Sequence, residues 1–208
     1  MIDFEKIFED KIKIVLGHLD PAHDISHVKR VVNIAKKIAQ DECGLLEVIM
    51  PAAWLHDLVN LPKNHPERSN ASRMAAREAL YLLNEIKYPV IYHERIAHAI
   101  EAHSFSAEII PETLEAKIVQ DADRLDGLGA IGLARLFSIS TQLNRPFYDS
   151  TDPFAVNRSL DDKLYGIDHI WTKLKKVSES MHTPAAQLEA QKRFIFIEEF
   201  LNELKTEI

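Results

Sequence analysis

Four side chains stand out by type and position: His27 in HDISHVKRV, the adjacent pair His56-Asp57 in AAWLHDLVN, and Asp123 in QDADRLDGLGA. Two imidazoles and two carboxylates offer mixed nitrogen and oxygen donors, a set that suits a first-row divalent ion better than a structural zinc. Four such ligands leave positions on a six-coordinate ion for water and a substrate oxygen. An ion held this way polarises a phosphoryl group and lowers the pKa of its water. Each residue also has a plainer reading. His56 could be a core histidine bonded to a carbonyl, with Asp57 marking a helix end. A lone histidine on an apolar face is more often structural, and a D-x-D cluster is ordinarily a solvated helix face.

Spacing narrows these choices. His27 shares a stripe with Val31 and Ile34, which places it on or beside the apolar face of its helix. Asp123 and Asp126 continue the stripe of Ala116 and Val119, whereas Asp121 falls with Lys117 and Arg124. Asp123 is therefore expected to point inward and Asp121 to be a solvated ion-pair partner. His56 and Asp57 project about 100° apart on a helix, yet near a helix end both can reach one ion.

The elements that must position these groups are helical. Apolar residues recur at helical spacing almost throughout, with no long period-2 alternation, and 6 glycines leave few hairpin punctuators. Phe4, Ile7, Phe8, Ile12 and Val15 mark a first helix ending near Gly17, and Ile25 to Ile38 a second. The third, about Leu45 to Leu58, is apolar on nearly every side and is expected to be central, with a kink or restart at Pro51. Residues 60–70 read as a surface loop, after which Ser69 or Asn70 caps a helix through Leu83. Pro89 opens a helix covering Ile91 to Ala102, and Pro111 one running from Leu114 toward Gly127. Residues 144–157 form a second loop, and two amphipathic helices, roughly 159–178 and 184–206, follow. No repeat or long linker divides the chain. The expectation is an all-α, single domain over 1–208, with its core in 20–130 and the helices of 159–206 packed on it.

Composition excludes several classes. In 208 residues, 32 acidic against 25 basic side chains give a net charge of -7, which argues against broad attraction to nucleic acid or anionic membrane. The single cysteine, Cys43, excludes an internal disulfide framework and fits a reducing cytoplasm. No run approaches the roughly 20 apolar residues that span a bilayer. The lack of a Gly-x-Gly-x-x-Gly or Walker-type loop sets aside a glycine cradle for phosphate.

The ordered pattern H…HD…D, formed by His27, His56-Asp57 and Asp123, resembles the HD-domain superfamily of metal-dependent phosphohydrolases, and is most similar to its small single-domain bacterial members. HDISHVKRV, LPKNHPERSNASR, AIEAHSFS, DADRLDGLGAIGLAR and TKL…MHTPAA…AQKRF are similar too, so the likeness spans roughly residues 20–200. The resemblance implies a helical bundle with a metal-binding cleft. It implies His27, His56, Asp57 and Asp123 as ligands of a divalent ion (Mn²⁺, Mg²⁺, Fe²⁺, Co²⁺ or Ni²⁺). The implied reaction is hydrolysis of a small phosphorylated metabolite, a nucleotide first, by metal-activated water.

Around these ligands further candidates can be named. Asp57 could both ligate and accept hydrogen bonds from the attacking water, while His65, His98 or His103 could protonate the leaving oxygen. Arg30, three residues after His27, and Lys63 and Arg68, in the loop after the HD pair, offer local positive charge to an anionic substrate. Asp126 is a further substrate-facing candidate; Arg145 and Tyr148 could gate access from the second loop, and His169 with Lys173 could close the cleft from the C-terminal side. Individually, each basic residue reads more readily as a surface charge. His98 and His103 lie about 140° apart around a helix axis, so they share a point only if the helix ends between them. Two other functions use the same scaffold: a nucleotide-binding regulatory module without turnover, and a di-iron oxygenase with His98 and His103 as extra ligands. The expected partner is the small substrate, with no membrane and no large nucleic acid; a homodimer is compatible with the chain.

Overall fold

The computed structural model describes residues 2–16, 25–59, 61, 65–104 and 107–208. Among them are nine α-helices and no strand: α1 (Phe4–Leu16), α2 (Ile25–Glu42), α3 (Leu46–Leu55), α4 (Ala71–Glu85), α5 (His93–His103), α6 (Leu114–Asp126), α7 (Gly129–Gln142), α8 (Lys175–Ser178) and α9 (Pro184–Glu207). The protein is all-α, as its periodicity predicts. Gly17 and Lys63 lie outside the described residues. No helix among those residues is long and apolar enough to cross a membrane. The chain forms two compact units, Met1–Asp123 and Arg124–Ile208.

In the first unit α3 is the hub, packing against α1, α2 and α5, while α4 packs on α5. Val48, Ile49 and the run Pro51–Leu55 are all buried, matching a sequence that is apolar all round. The helix does not restart at Pro51, and α3 runs through it. A proline has no N–H to donate to the carbonyl four residues earlier, here that of Glu47. The Tyr88 hydroxyl donates to that same oxygen at 2.7 Å, so the orphaned acceptor is satisfied from outside the helix. Burial, with the charge of Glu47 nearby, pushes the Tyr88 phenol up to about 12. The helix stops immediately after Leu55, which leaves His56 and Asp57 in the turn that follows.

The α6 helix corrects a second expectation. Asp121 is not solvated: it is 0 % exposed, and every residue from Ile118 to Ala122 is buried. A stripe argument assumes that one face of the helix meets water, and over this stretch none does.

In the second unit α9 packs against α7 and α8. Pro184 opens α9, and the Thr183 hydroxyl caps it by accepting from the Ala186 N–H. Of the helix expected over 159–178, the C-terminal part forms, running through residues 168–178 with a π-helical turn at Ile170–Leu174 and the short α8, while 159–167 do not. Side chains have captured the backbone instead. Asp168 accepts from the Asp161 N–H at 2.7 Å, and Asp161 accepts from the Lys163 N–H at 2.9 Å. Such local bonds compete directly with the helical ladder. Upstream, bonds from Thr151 hold the Asp149 carboxyl below its usual range, and the backbone N–H of Asn157 does the same for Asp152.

The α7 helix, which periodicity leaves unassigned, begins with a close backbone approach. Gly129 has φ +66, and a Cβ added at Gly132 would lie 2.3 Å from the Gly127 carbonyl oxygen. Because the obstacle is backbone, Gly132→Ala is expected to cost about 1–3 kcal/mol, read as a lower urea midpoint. An unchanged midpoint would show that the turn tolerates a side chain.

Candidate metal centre

Three elements of the first unit deliver four polar groups to one place. His27 comes from the first turn of α2, His56 and Asp57 from the turn after α3, and Asp123 from α6. His27 and His56 are 2 % and 1 % exposed. The Nε2 atoms of the two histidines are 3.4 Å apart. Asp57 Oδ2 lies 3.8 Å from His27 Nε2 and 3.6 Å from His56 Nε2. Asp123 Oδ1 lies 3.4 Å and 3.9 Å from the same two nitrogens.

These spacings suit a cation. An octahedral ion with bonds of about 2.1 Å sets neighbouring donors about 3.0 Å apart and opposite donors about 4.2 Å apart. The five separations that involve a ring nitrogen fall inside that interval. His27, His56 and Asp57 form a group that could hold a divalent ion, one donor atom of each lying within 4.8 Å of the others.

The tautomers agree. His56 Nδ1 donates to the Ala53 carbonyl at 2.8 Å, since a carbonyl can only accept. The neutral ring must then turn its Nε2 lone pair toward His27. Around a shared cation both Nε2 atoms would present lone pairs to the positive charge. A backbone carbonyl that fixes the distal nitrogen is the usual support of a metal-ligating histidine.

Burial pushes the His56 pKa below its ordinary value. Burial alone would raise that of Asp57, but the imidazoles of His56, His103 and His27 outweigh it and hold the carboxyl below the usual range. At Asp123 burial is likewise overcome, by a hydrogen bond from His27 and the charges of the same rings. Ionised carboxylates and a neutral imidazole are the forms that ligate metals.

His103 belongs to this cluster and His98 does not. The His103 ring centroid is 4.9 Å from that of His56, its Nδ1 donates to the Ile100 carbonyl at 2.6 Å, and its Nε2 is 3.8 Å from Asp57 Oδ1. Because α5 continues unbroken to His103, His98 points elsewhere, and its Nε2 accepts from the Glu112 N–H at 3.0 Å. His65 is exposed and accepts from the Glu67 N–H at 3.1 Å. Arg68 donates to the Leu61 carbonyl and, with Asp57, Ser72 and His103, lines a small cavity. Arg30 is half-buried one turn along α2 from His27.

The remaining candidates lie in the second unit. Asp126 is 1 % exposed and pairs with Arg135 at 3.2 Å. Arg145 donates to the Asp162 carbonyl at 2.7 Å. His169 Nδ1 is 2.9 Å from Asp162 Oδ2, an oxygen that also accepts from Thr172 at 3.0 Å. Tyr148 is half-buried and Lys173 exposed. Sequence reasoning passed over Ser72 and Asp162. Asp162 and His169 are seven apart, a pairing that becomes legible only when the intervening chain is known not to be helical.

Comparison with known proteins adds a family. The HD domain model matches residues 24–128, a span that includes all four clustered residues. The Bacillus subtilis (strain 168) protein YpgQ is 27% identical over 201 residues, covering 95% of this chain and 90% of its own. Among solved structures, an HD-superfamily hydrolase from Bacillus thuringiensis matches with a TM-score of 0.78 at 29% identity, covering 99% of this chain and 96% of that one. Bacillus subtilis YpgQ in complex with ADP matches with a TM-score of 0.77 at 26% identity, covering 98% and 94%.

Proposed function

Since the chain belongs to the HD-domain family, we propose that it is a divalent-metal-dependent phosphohydrolase acting on a small phosphorylated metabolite, with nucleotides the first class to test. The observation that carries this is a pair of imidazole nitrogens 3.4 Å apart, each 3.4 to 3.9 Å from a carboxylate oxygen of Asp57 and of Asp123. Likeness to an HD-superfamily hydrolase supports hydrolysis, and the ADP held by YpgQ supports a nucleotide.

His27, His56, Asp57 and Asp123 would hold the ion. When bound, such an ion supplies Lewis-acid polarisation of a phosphoryl oxygen and acidifies its water. Asp57 turns Oδ2 to the two buried imidazoles and Oδ1 to His103. One carboxylate oxygen can thus ligate while the other accepts a hydrogen bond from the attacking water. His103, its ring fixed on the Ile100 carbonyl, is better placed than His65 or His98 to pass a proton to the leaving oxygen. Arg68 contributes positive charge beside Asp57. The two-metal oxygenase gains nothing from His98, whose Nε2 is engaged at Glu112.

The test is a screen of nucleoside mono-, di- and triphosphates and cyclic nucleotides with Mn²⁺, Mg²⁺, Co²⁺ and Ni²⁺. Release of phosphate, pyrophosphate or a nucleoside monophosphate is expected for at least one substrate, and is expected to stop on chelation. Tight nucleotide binding with no product from any combination would instead favour the regulatory module.

A further inference from the structure

We propose that Ser72 is a substrate-binding residue whose hydroxyl donates to a phosphoryl oxygen in the cavity beside Asp57. The proposal rests on the phosphohydrolase reading, which it deepens by assigning the subsite for the phosphoryl group. Ser72 is the second residue of α4, 2 % exposed, and its Oγ has no hydrogen-bond partner. Buried hydroxyls are nearly always paired, and leaving one unpaired is costly. A helical serine commonly resolves this by donating to a carbonyl one turn back, as Ser140 does to Leu136 at 2.8 Å. Ser72 does not.

What Ser72 does border is space. With Asp57, Arg68, His103 and Ser104 it lines a cavity of about 30 Å³, more than the roughly 10–15 Å³ that a single water requires. The surroundings favour an anion's oxygen at this wall. Ser72 sits in the first turn of a 15-residue helix, where the macrodipole attracts negative charge, and Asn70 at the N-cap makes no side-chain capping bond. Arg68 lines the same cavity and brings positive charge to it. Asp57 and His103, the groups assigned to the ion and the leaving oxygen, line the same cavity. A phosphoryl group held there would satisfy the Ser72 hydroxyl and lie beside Asp57.

The probe is inorganic phosphate, titrated by calorimetry into the Mn²⁺-loaded wild type, Ser72→Ala and Ser69→Ala. Ser69 is an exposed neighbour and serves as the control. Ser72→Ala is expected to weaken phosphate binding about tenfold or more, the loss of one bond to a charged group. Its thermal midpoint without phosphate should stay equal to or above that of wild type, since an unpaired buried group has been removed. Ser69→Ala should bind as wild type does. Equal affinity in Ser72→Ala and wild type, or no phosphate binding by wild type, overturns the proposal. If no nucleotide is hydrolysed yet Ser72→Ala still loses phosphate affinity, the hydrolase reading fails and the subsite stands. If hydrolysis is found and phosphate affinity is unaffected by Ser72→Ala, the subsite alone fails.

Discussion

Asp57→Ala is expected to lower kcat/KM of the metal-dependent reaction by about 10³-fold or more, several kcal/mol of transition-state stabilisation. The substitution removes the oxygen 3.6 Å and 3.8 Å from the two imidazoles, together with the oxygen facing His103. A ligand and a hydrogen-bond acceptor are lost in one step. What remains is a pair of ring nitrogens 3.4 Å apart with less negative charge between them, so metal content after dialysis should fall as well. His56→Ala should act similarly, by removing the nitrogen that Ala53 orients. Far-UV circular dichroism is expected to retain its helical shape, because α3 ends before either residue. Full turnover by either variant would remove the cluster from the chemistry.

The second large effect is on stability and lies outside that cluster. Asp168→Ala is expected to lower the thermal midpoint by roughly 10 °C, as expected for breaking a buried ion pair from one side. Asp168 is 1 % exposed; its Oδ1 accepts from Arg158 Nη2 at 2.9 Å, and its Oδ2 accepts from Arg158 Nη1 and from the Asp161 N–H at 2.7 Å. Its loss leaves the Asp161 N–H without its acceptor and Arg158 with only the Asp152 and Ser159 carbonyls to donate to. Arg158 also stacks over the Tyr165 ring at 4.5 Å, so that packing loosens with it. Asp168→Asn, which keeps one acceptor oxygen, should show a smaller drop. Differential scanning calorimetry of the three proteins distinguishes this from a solvated surface pair, for which all midpoints would coincide.

Residue type and helical spacing were enough to specify an all-α chain and to place most of its helices. They were also enough to single out His27, His56, Asp57 and Asp123 as a donor set with metal-binding chemistry. The α2 and α9 helices are legible because their apolar stripes and boundary residues agree. Other features escaped for identifiable reasons. The helix does not restart at Pro51, and Tyr88, 37 positions along the chain, supplies a donor to the Glu47 carbonyl that the proline leaves unpaired. The first part of the helix expected over 159–178 yields to Asp161 and Asp168, whose carboxylates bind backbone groups.

The choice between His98 and His103 shows the division most clearly. Both sit on α5, and both are chemically competent. Only the packing of α5 against α3 turns His103 toward Asp57 and leaves His98 at the Glu112 backbone. Ser72 is a similar case: nothing in its neighbours along the chain distinguishes it from Ser69, and its burial beside the cavity is what does. Periodicity reports which side of one helix avoids water. Which helices meet, and which atoms they bring within hydrogen-bonding or ligating distance, depends on contacts between residues far apart in the chain, and these leave no regular trace along it.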